Sequence, residues 1–235
     1  MARLFLIPTT LSTNIDHNVL LPFQLAQIKH LRHFIVETAK VARQHLKHLG
    51  LTASLQELEL YELNKHSQNL DPLIQPLKSG IDVGLLSDCG LPAIADPGSR
   101  IVRLAHQHNI TVIPFIGPSS LMLALMSSGV NGQSFAFTGY LPIDSIKRSQ
   151  KLSQLQELIL INKQSQIIIE APFRNNQLLQ ALLDQLTSTI ILTLAIGLMG
   201  SSQQIISQPI QIWKKQQHLP DLHKREVVFV IGAAD

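Results

Sequence analysis

The stretch from Asp82 to Ser128 constrains the fold more than any other part of the chain. Asp82–Leu86 is a compact apolar run, too short for a buried helix and long enough for a strand buried on both faces. A loop rich in Gly and Pro follows, Ser87–Gly98, and then helical spacing over Ser99–His108. Asn109 breaks that helix, and Thr111–Phe115 is a second strand of the same kind. Gly117-Pro118-Ser119-Ser120 then leads into a helix over Leu121–Ser128. Strand, loop, helix, strand, loop, helix is the rhythm of a mostly parallel α/β sheet. Ligands of such sheets collect at loops leaving the carboxyl ends of strands, where both unusual loops lie.

The flanking segments extend this α/β pattern. Arg3–Ile7 reads as a buried strand stopped by Pro8. Leu20–Leu31 and Ala39–Leu49 have helix spacing, with Gly50 as a cap on the second. Glu57–Leu63 suits a strand, and Leu70–Leu77 is amphipathic but carries Pro72 and Pro76. Gly129–Gln133 reads as a connector, which predicts an N-terminal α/β domain over 1–130 and a C-terminal one over 131–235. In the second domain Phe135–Thr138, Gln166–Glu170, Ile190–Ile196 and Glu226–Ile231 are strand candidates. Ser149–Ile161 and Asn176–Leu186 are helix candidates. Gln203–Ile206 and Gln208–Ile212 suit a hairpin, although Gln211–Gln216 also suits the start of a helix containing Trp213. Many short strands and few helices predict a mixed second sheet.

Composition removes several classes. With 235 residues, 45% hydrophobic and 15% charged, the chain can bury a substantial core. Its net charge of +3 permits a nucleic-acid partner without arguing for one. The lone cysteine, Cys89, excludes an internal disulfide and a thiolate metal cluster, which suggests a reducing compartment and a cytoplasmic protein. The apolar run behind Arg3 stops at Pro8 without a cleavage site, and no apolar stretch is long enough to span a bilayer. Glycine-rich phosphate loops and the zinc helix motif are absent. His30 with His33, and His45 with His48, share helix faces but lack further ligands, so solvated faces are expected rather than metal.

Four loops stand out chemically. In Ser87–Gly98, glycines allow close approach of backbone to a ligand, prolines hold the shape, and Asp88 and Asp96 add acids. A turn that only caps the next helix is the plainer alternative. Ser119 or Ser120 can donate or accept near a helix N-terminus, or simply cap it. Glu170 ends an apolar strand and is followed by Ala171-Pro172-Phe173-Arg174. It reads either as an ion-pair partner of Arg174 or as a cleft residue that orients a substrate. Tyr140, in Gly139-Tyr140-Leu141-Pro142, suits base stacking or packing at a domain junction.

Taken in order, Ser87–Gly98, Gly117-Pro118-Ser119, Gly139–Pro142 and Glu170–Arg174 resemble the tetrapyrrole methylase superfamily. Within it the chain most resembles the small-subunit ribosomal RNA cytidine 2'-O-methyltransferases. Their pattern runs Ser-Asp-Ala-Gly-Thr-Pro-x-Ile-Ser-Asp-Pro-Gly, Gly-Pro-Ser, Gly-Phe-Leu-Pro and Glu-Ser-Pro-His-Arg, and the likeness extends over residues 3–231. The resemblance implies two α/β domains, S-adenosyl-L-methionine in the cleft between them, and a homodimer acting on ribosomal RNA or the small ribosomal subunit. It assigns cofactor contacts to Pro8, Gly90, Leu91, Pro92, Ile94, Ala95, Ser119, Ser120, Ala171, Ala195 and Leu198. Glu37, Asp88, Glu170 and Arg174 become the catalytic candidates.

This chain also departs from the family pattern. Leu11-Ser12-Thr13-Asn14 lacks the family's glycine, and Glu37-Thr38-Ala39-Lys40 replaces Glu-Asp-Thr-Arg. Ile196–Gly200 lacks the charges of Arg-Glu-Leu-Thr-Lys, and Phe173 stands in place of His. All four changes fall on expected substrate surfaces, while the cofactor loops are better kept. Methylation of another RNA or a small molecule therefore stays open, as does a non-catalytic protein that binds the cofactor.

Overall fold

The computed structural model describes residues 2–12, 19–64, 66 and 68–233. The chain forms two compact units, Met1–Ser119 and Ser120–Asp235. The sequence-based boundary at 130/131 lies one helix further along. The helix between the two positions belongs with the second unit because it packs on that unit's sheet.

Unit 1 contains β1 (Arg3–Leu6), α1 (Pro22–Ile28), β2 (His33–Val36), α2 (Ala39–His48), β3 (Glu59–Glu62), α3 (Asp71–Lys78), β4 (Val83–Leu86), α4 (Ser99–Gln107) and β5 (Thr111–Pro114). Its five strands lie in the order β3-β2-β4-β1-β5, every pair parallel. Side chains alternate strictly between the two faces. Phe5, Phe34, Val36 and Leu86 join one buried cluster, and Leu4, Ile35, Val83 and Leu85 join the other. Helices cover both faces, so neither can be polar, and the strands read as continuous apolar runs. Gly84 faces Phe34 and Ile7 in the middle of the sheet, where an added Cβ would come within 2.5 Å of the Phe34 ring.

Unit 2 contains α5 (Ser120–Ser128), β6 (Phe135–Gly139), α6 (Ser145–Asn162), β7 (Ser165–Ile169), a 3-10 turn at Pro172–Arg174, α7 (Asn175–Gln185), β8 (Ile191–Ile196), β9 (Gln204–Pro209), α8 (Ile210–Trp213) and β10 (Val227–Gly232). The sheet order is β6-β7-β10-β8-β9. β6 and β7 are parallel, and the other pairs are antiparallel, as a mixed sheet requires. One face packs on α6 and α7 through Leu152, Leu155, Ile159, Leu178 and Leu182. Trp213 is buried in the same cluster and donates its indole N–H to the Leu192 carbonyl at 2.9 Å. α5 packs on β8, β9 and β10.

Four local readings change. The helix expected over Leu20–Leu31 is shorter and is followed by β2, hidden behind it in the sequence. The second helix of unit 2 starts four residues earlier than read, because Asp144 accepts the Lys147 N–H at 2.9 Å as its N-cap. At Gln203–Ile212 the hairpin is replaced by one strand, β9, paired with β8, and the alternative of a helix containing Trp213 is the one found, as α8. Pro76 lies inside α3, in its last turn, with Pro72 in the first turn. Thr13 and Asn14, within the first departure from the family pattern, lie outside the described residues.

Candidate functional site

The parallel sheet of unit 1 brings four loops to its carboxyl end, after β1, β2, β4 and β5. The loop after β4 is tied to its neighbours through backbone and carboxylate groups. Thr9, after β1, donates its N–H to the Gly90 carbonyl at 2.9 Å, and its hydroxyl reaches the Ser87 carbonyl at 3.3 Å. Asp88 bridges to the loop after β2. Its backbone N–H donates to Glu37 Oε2 at 2.8 Å, while its carboxylate accepts the Thr38 N–H at 3.1 Å and the Thr38 hydroxyl at 2.8 Å. Thr38 is the N-cap residue of α2, so Asp88 braces a helix start as well as its own loop. His45, from α2, lies 3.3 Å from the Asp88 carbonyl, and burial pushes its imidazole below the ordinary range.

The tip of this loop holds an unusual backbone. Gly90 adopts φ +77°, and Ala93 and Ala95 adopt +66° and +63°, left-handed values that disfavour any residue with a Cβ. Such conformations persist only where surrounding contacts over-determine them, and they cluster at ligand sites. Here the contacts come from Asp96. Its Oδ1 accepts the Gly98 N–H at 2.6 Å, and the Ala93 backbone N–H also acts on the carboxylate. Its Oδ2 is buried without a hydrogen-bond partner. Burial, followed by the nearby Glu37 charge, pushes the Asp96 carboxyl up to about 6, against the opposing pull of the two backbone N–H groups. The result is to present Ile94, 49% exposed, between two left-handed alanines.

Close approach defines the rest of the loop cluster. A Cβ on Gly117 would fall on the Pro8 ring, and one on Gly90 would meet Leu11 at 3.0 Å. Pro8 and Pro92 are buried, Leu91 is half-buried, and Ser119 ends the loop after β5. Unit 1 therefore brings together Glu37, Asp88, Pro8, Gly90, Leu91 and Pro92 at one sheet end, with Ile94 and Ala95 at the tip of the same loop. Cys89 is exposed in the same loop.

The other expected residues belong to unit 2. Glu170, whose side chain is only 5% exposed, follows β7. Its Oε1 accepts the Ala171 N–H at 2.7 Å and two Arg174 N–H groups at 2.6 and 3.0 Å. The pair recognised in the sequence is real, and it locks the turn after β7. Ala195 is buried within β8, between Val228 of β10 and Ile205 of β9. Leu198 is buried just beyond that strand, and Ser120 is the first residue of α5.

Sequence reasoning gave no specific role to Thr38, Thr9 or Asp96. Asp96 carried a signal, an acid flanked by Ala and Pro in a loop of unusual composition, but its unpaired oxygen depends on burial that only the fold sets. Among the described residues no group of three His, Cys, Asp or Glu side chains could hold a metal ion, and no helix is long and apolar enough to cross a membrane.

No family model matches the chain. It is 31% identical over 175 residues to ribosomal RNA small subunit methyltransferase I of Vibrio cholerae, covering 74% of this chain and 58% of that protein. The protein of the same name from Pseudomonas aeruginosa is 31% identical over 183 residues, covering 77% and 60%. That from Xylella fastidiosa is 37% identical over 121 residues, covering 51% and 42%. The chain thus spans about half the length of the curated relatives it matches. The crystal structure of the methyltransferase CobJ superposes with a TM-score of 0.62 at 15% identity, covering 99% of this chain and 93% of that one. With the α/β fold of CobJ and these matches in sequence, the chain is a homologue of the ribosomal RNA small subunit methyltransferase I proteins.

Proposed function

We propose that the chain is an S-adenosylmethionine-dependent methyltransferase whose acceptor is ribosomal RNA, at the ribose 2'-hydroxyl of a cytidine. The observation that carries this reading is the homology over 175 residues to a ribosomal RNA methyltransferase. The loop cluster of unit 1 fits the cofactor. Ile94 offers an exposed apolar side chain of the kind a purine packs against, and Gly90 and Gly117 bring backbone where a Cβ would crowd Leu11 or Pro8. Pro8, Leu91, Pro92, Ala95 and Ser119 lie in the same cluster of loops. For Ser120, Ala171, Ala195 and Leu198, all in unit 2, the cofactor role rests on the resemblance alone.

When bound, S-adenosylmethionine supplies a methyl group already activated by its sulfonium. The chain must then orient the hydroxyl, exclude water and receive a proton. Glu37 is the residue assigned proton uptake. It spends Oε2 on the Asp88 N–H, whereas the Asp88 carboxylate is engaged by Thr38 and Glu170 by Arg174. Asp88 is a positioning residue that holds Glu37 in place. Glu170 and Arg174 fix the loop after β7.

The decisive experiment is calorimetric titration with S-adenosylmethionine and S-adenosylhomocysteine, followed by transfer of labelled methyl groups to ribosomal RNA. One cofactor per chain and label on a cytidine ribose are expected. Label on a small molecule alone would refute the RNA acceptor, and tight binding with no transfer to any acceptor would refute the enzyme. Glu37→Gln is expected to lower kcat by about a hundredfold with cofactor affinity unchanged. The proposal includes a homodimer in a cytoplasmic setting. The exposed apolar side chains of Met122, Met126, Phe135 and Phe137 support the dimer, and the exposed thiol of Cys89 is compatible with a reducing compartment. Light scattering on the purified protein tests the dimer.

A further inference from the structure

Three segments of unit 2 converge at the carboxyl end of β7. β6 and β7 are parallel neighbours, with Gly139 opposite Ile168, so Tyr140 and the turn Pro172–Arg174 leave the sheet side by side. β10 runs antiparallel to β7 with Val228 opposite Ile169, which brings the approach to β10 back to the same end. The Lys224 N–H donates to the Pro172 carbonyl at 3.1 Å and pins that approach against the turn. Lys224 does so at φ +58°, an uncommon backbone for a residue with a Cβ.

The side chains gathered there have an unusual character. Phe173 is 64% exposed and Tyr140 57% exposed, although buried sites exist in the same unit for Trp213 and Phe229. The Arg174 guanidinium lies over the Phe173 ring, 5.1 Å from its centroid. Glu170 grips it through Nε and one terminal nitrogen, so the cation is held in one orientation. Tyr140 is within Coulomb range of the same guanidinium. Fixed charges in these segments balance in number, Arg174, Lys224 and Arg225 against Glu170, Asp221 and Glu226, and Arg174 is paired with Glu170. A generally attractive field for phosphate is therefore absent, and flat aromatic and guanidinium faces are the dominant feature. Unpaired bases of RNA are recognised by stacking on such faces, whereas paired bases cannot reach them.

We propose that Phe173, supported by Arg174 and flanked by Tyr140, is a stacking platform for an unpaired nucleobase of the acceptor RNA, with Lys224 on the adjoining phosphate. This rests on the RNA-acceptor reading above. It assigns a purpose to Phe173, where the family pattern has His: an all-carbon ring stacks without a titrating group.

The test is fluorescence anisotropy of the whole protein, with S-adenosylhomocysteine present, on a labelled single-stranded cytidine-rich RNA and its duplex. Phe173→Ala is expected to weaken single-strand binding by roughly ten- to a hundredfold, by the same factor at low and high salt. Phe173→Trp restores it. Lys224→Ala is expected to lower the slope of log affinity against log salt by about 0.7. Duplex binding is unaffected by Phe173→Ala. Cofactor titration on each variant verifies that the site elsewhere is intact. Single-strand affinity unchanged in Phe173→Ala, or lost equally in Phe173→Trp, overturns the platform. Failure of the wild-type protein to methylate any RNA while it methylates a small molecule overturns the acceptor reading itself, a result that the platform variants cannot produce.

Discussion

Replacement of Asp96 by asparagine should stabilise this protein at neutral pH. The carboxyl is half-buried, its Oδ2 has no partner, and it is pushed from 3.8 up to about 6, mainly by burial and then by Glu37. That difference amounts to about 3 kcal/mol if the carboxyl were wholly dry. Partial contact with solvent reduces it to about 1–2 kcal/mol. The sign follows from linkage. The folded state holds the proton more tightly than the unfolded chain, so the stabilisation from protonation is full below about pH 4 and is lost as pH rises through about 6. A side-chain amide in place of the acid resembles the protonated form at every pH, with its oxygen still able to accept from the Gly98 N–H as Oδ1 does now. Asp96→Asn and wild type should therefore coincide near pH 4 and diverge by about 1–2 kcal/mol at pH 7, the variant being the more stable. Urea unfolding across this range measures the difference. Far-UV circular dichroism follows both units, and the buried Trp213 reports unit 2 alone, so the transition absent from tryptophan fluorescence belongs to unit 1. Curves that stay parallel from pH 4 to 7 would refute the argument.

Other outcomes follow from close packing and hydrogen bonding. Gly84→Ala puts a Cβ within 2.5 Å of Phe34 and 2.8 Å of Ile7, and should destabilise unit 1 by about 1–3 kcal/mol in urea unfolding. Gly117→Ala collides with the Pro8 ring; the fold should survive with cofactor affinity reduced by about tenfold or more in calorimetry. Trp213→Phe removes the buried indole hydrogen bond to the Leu192 carbonyl and leaves a gap where the larger ring packed, which should remove about 1–3 kcal/mol from unit 2, read by circular dichroism.

Where a short apolar run is bracketed by Gly or Pro, sequence and structure agree within a residue or two, as for β4, α4 and β5. The same logic misses β2, because His33–Val36 follows a helix directly and lacks a Gly or Pro stop. The placement of α5 is invisible locally. It follows a unit 1 loop in sequence yet packs on the unit 2 sheet, and helix spacing carries no information about which sheet will receive it. The site divides in the same way. Gly90, Pro92 and Gly98 mark the loop after β4 through their backbone demands. The bracing of Asp88 by Thr38, fifty residues away, depends on which strands are neighbours. So does the burial that sets Asp96 apart.

The strand order also governs when each unit can form during synthesis. β1 is the first strand made, yet it sits inside its sheet, hydrogen-bonded to β4 on one side and β5 on the other. Arg3–Leu6 therefore waits for Val83–Leu86 to pair on one edge and keeps its other edge open until Thr111–Pro114 has left the ribosome. In unit 2 the order is reversed: β10 is the last strand made and lies between β7 and β8. Until it arrives, two apolar strand edges stand open with nothing to close them. Each unit thus passes through an interval in which an apolar strand edge inside its sheet stands open, an interval in which a chaperone that shields apolar strands would matter most.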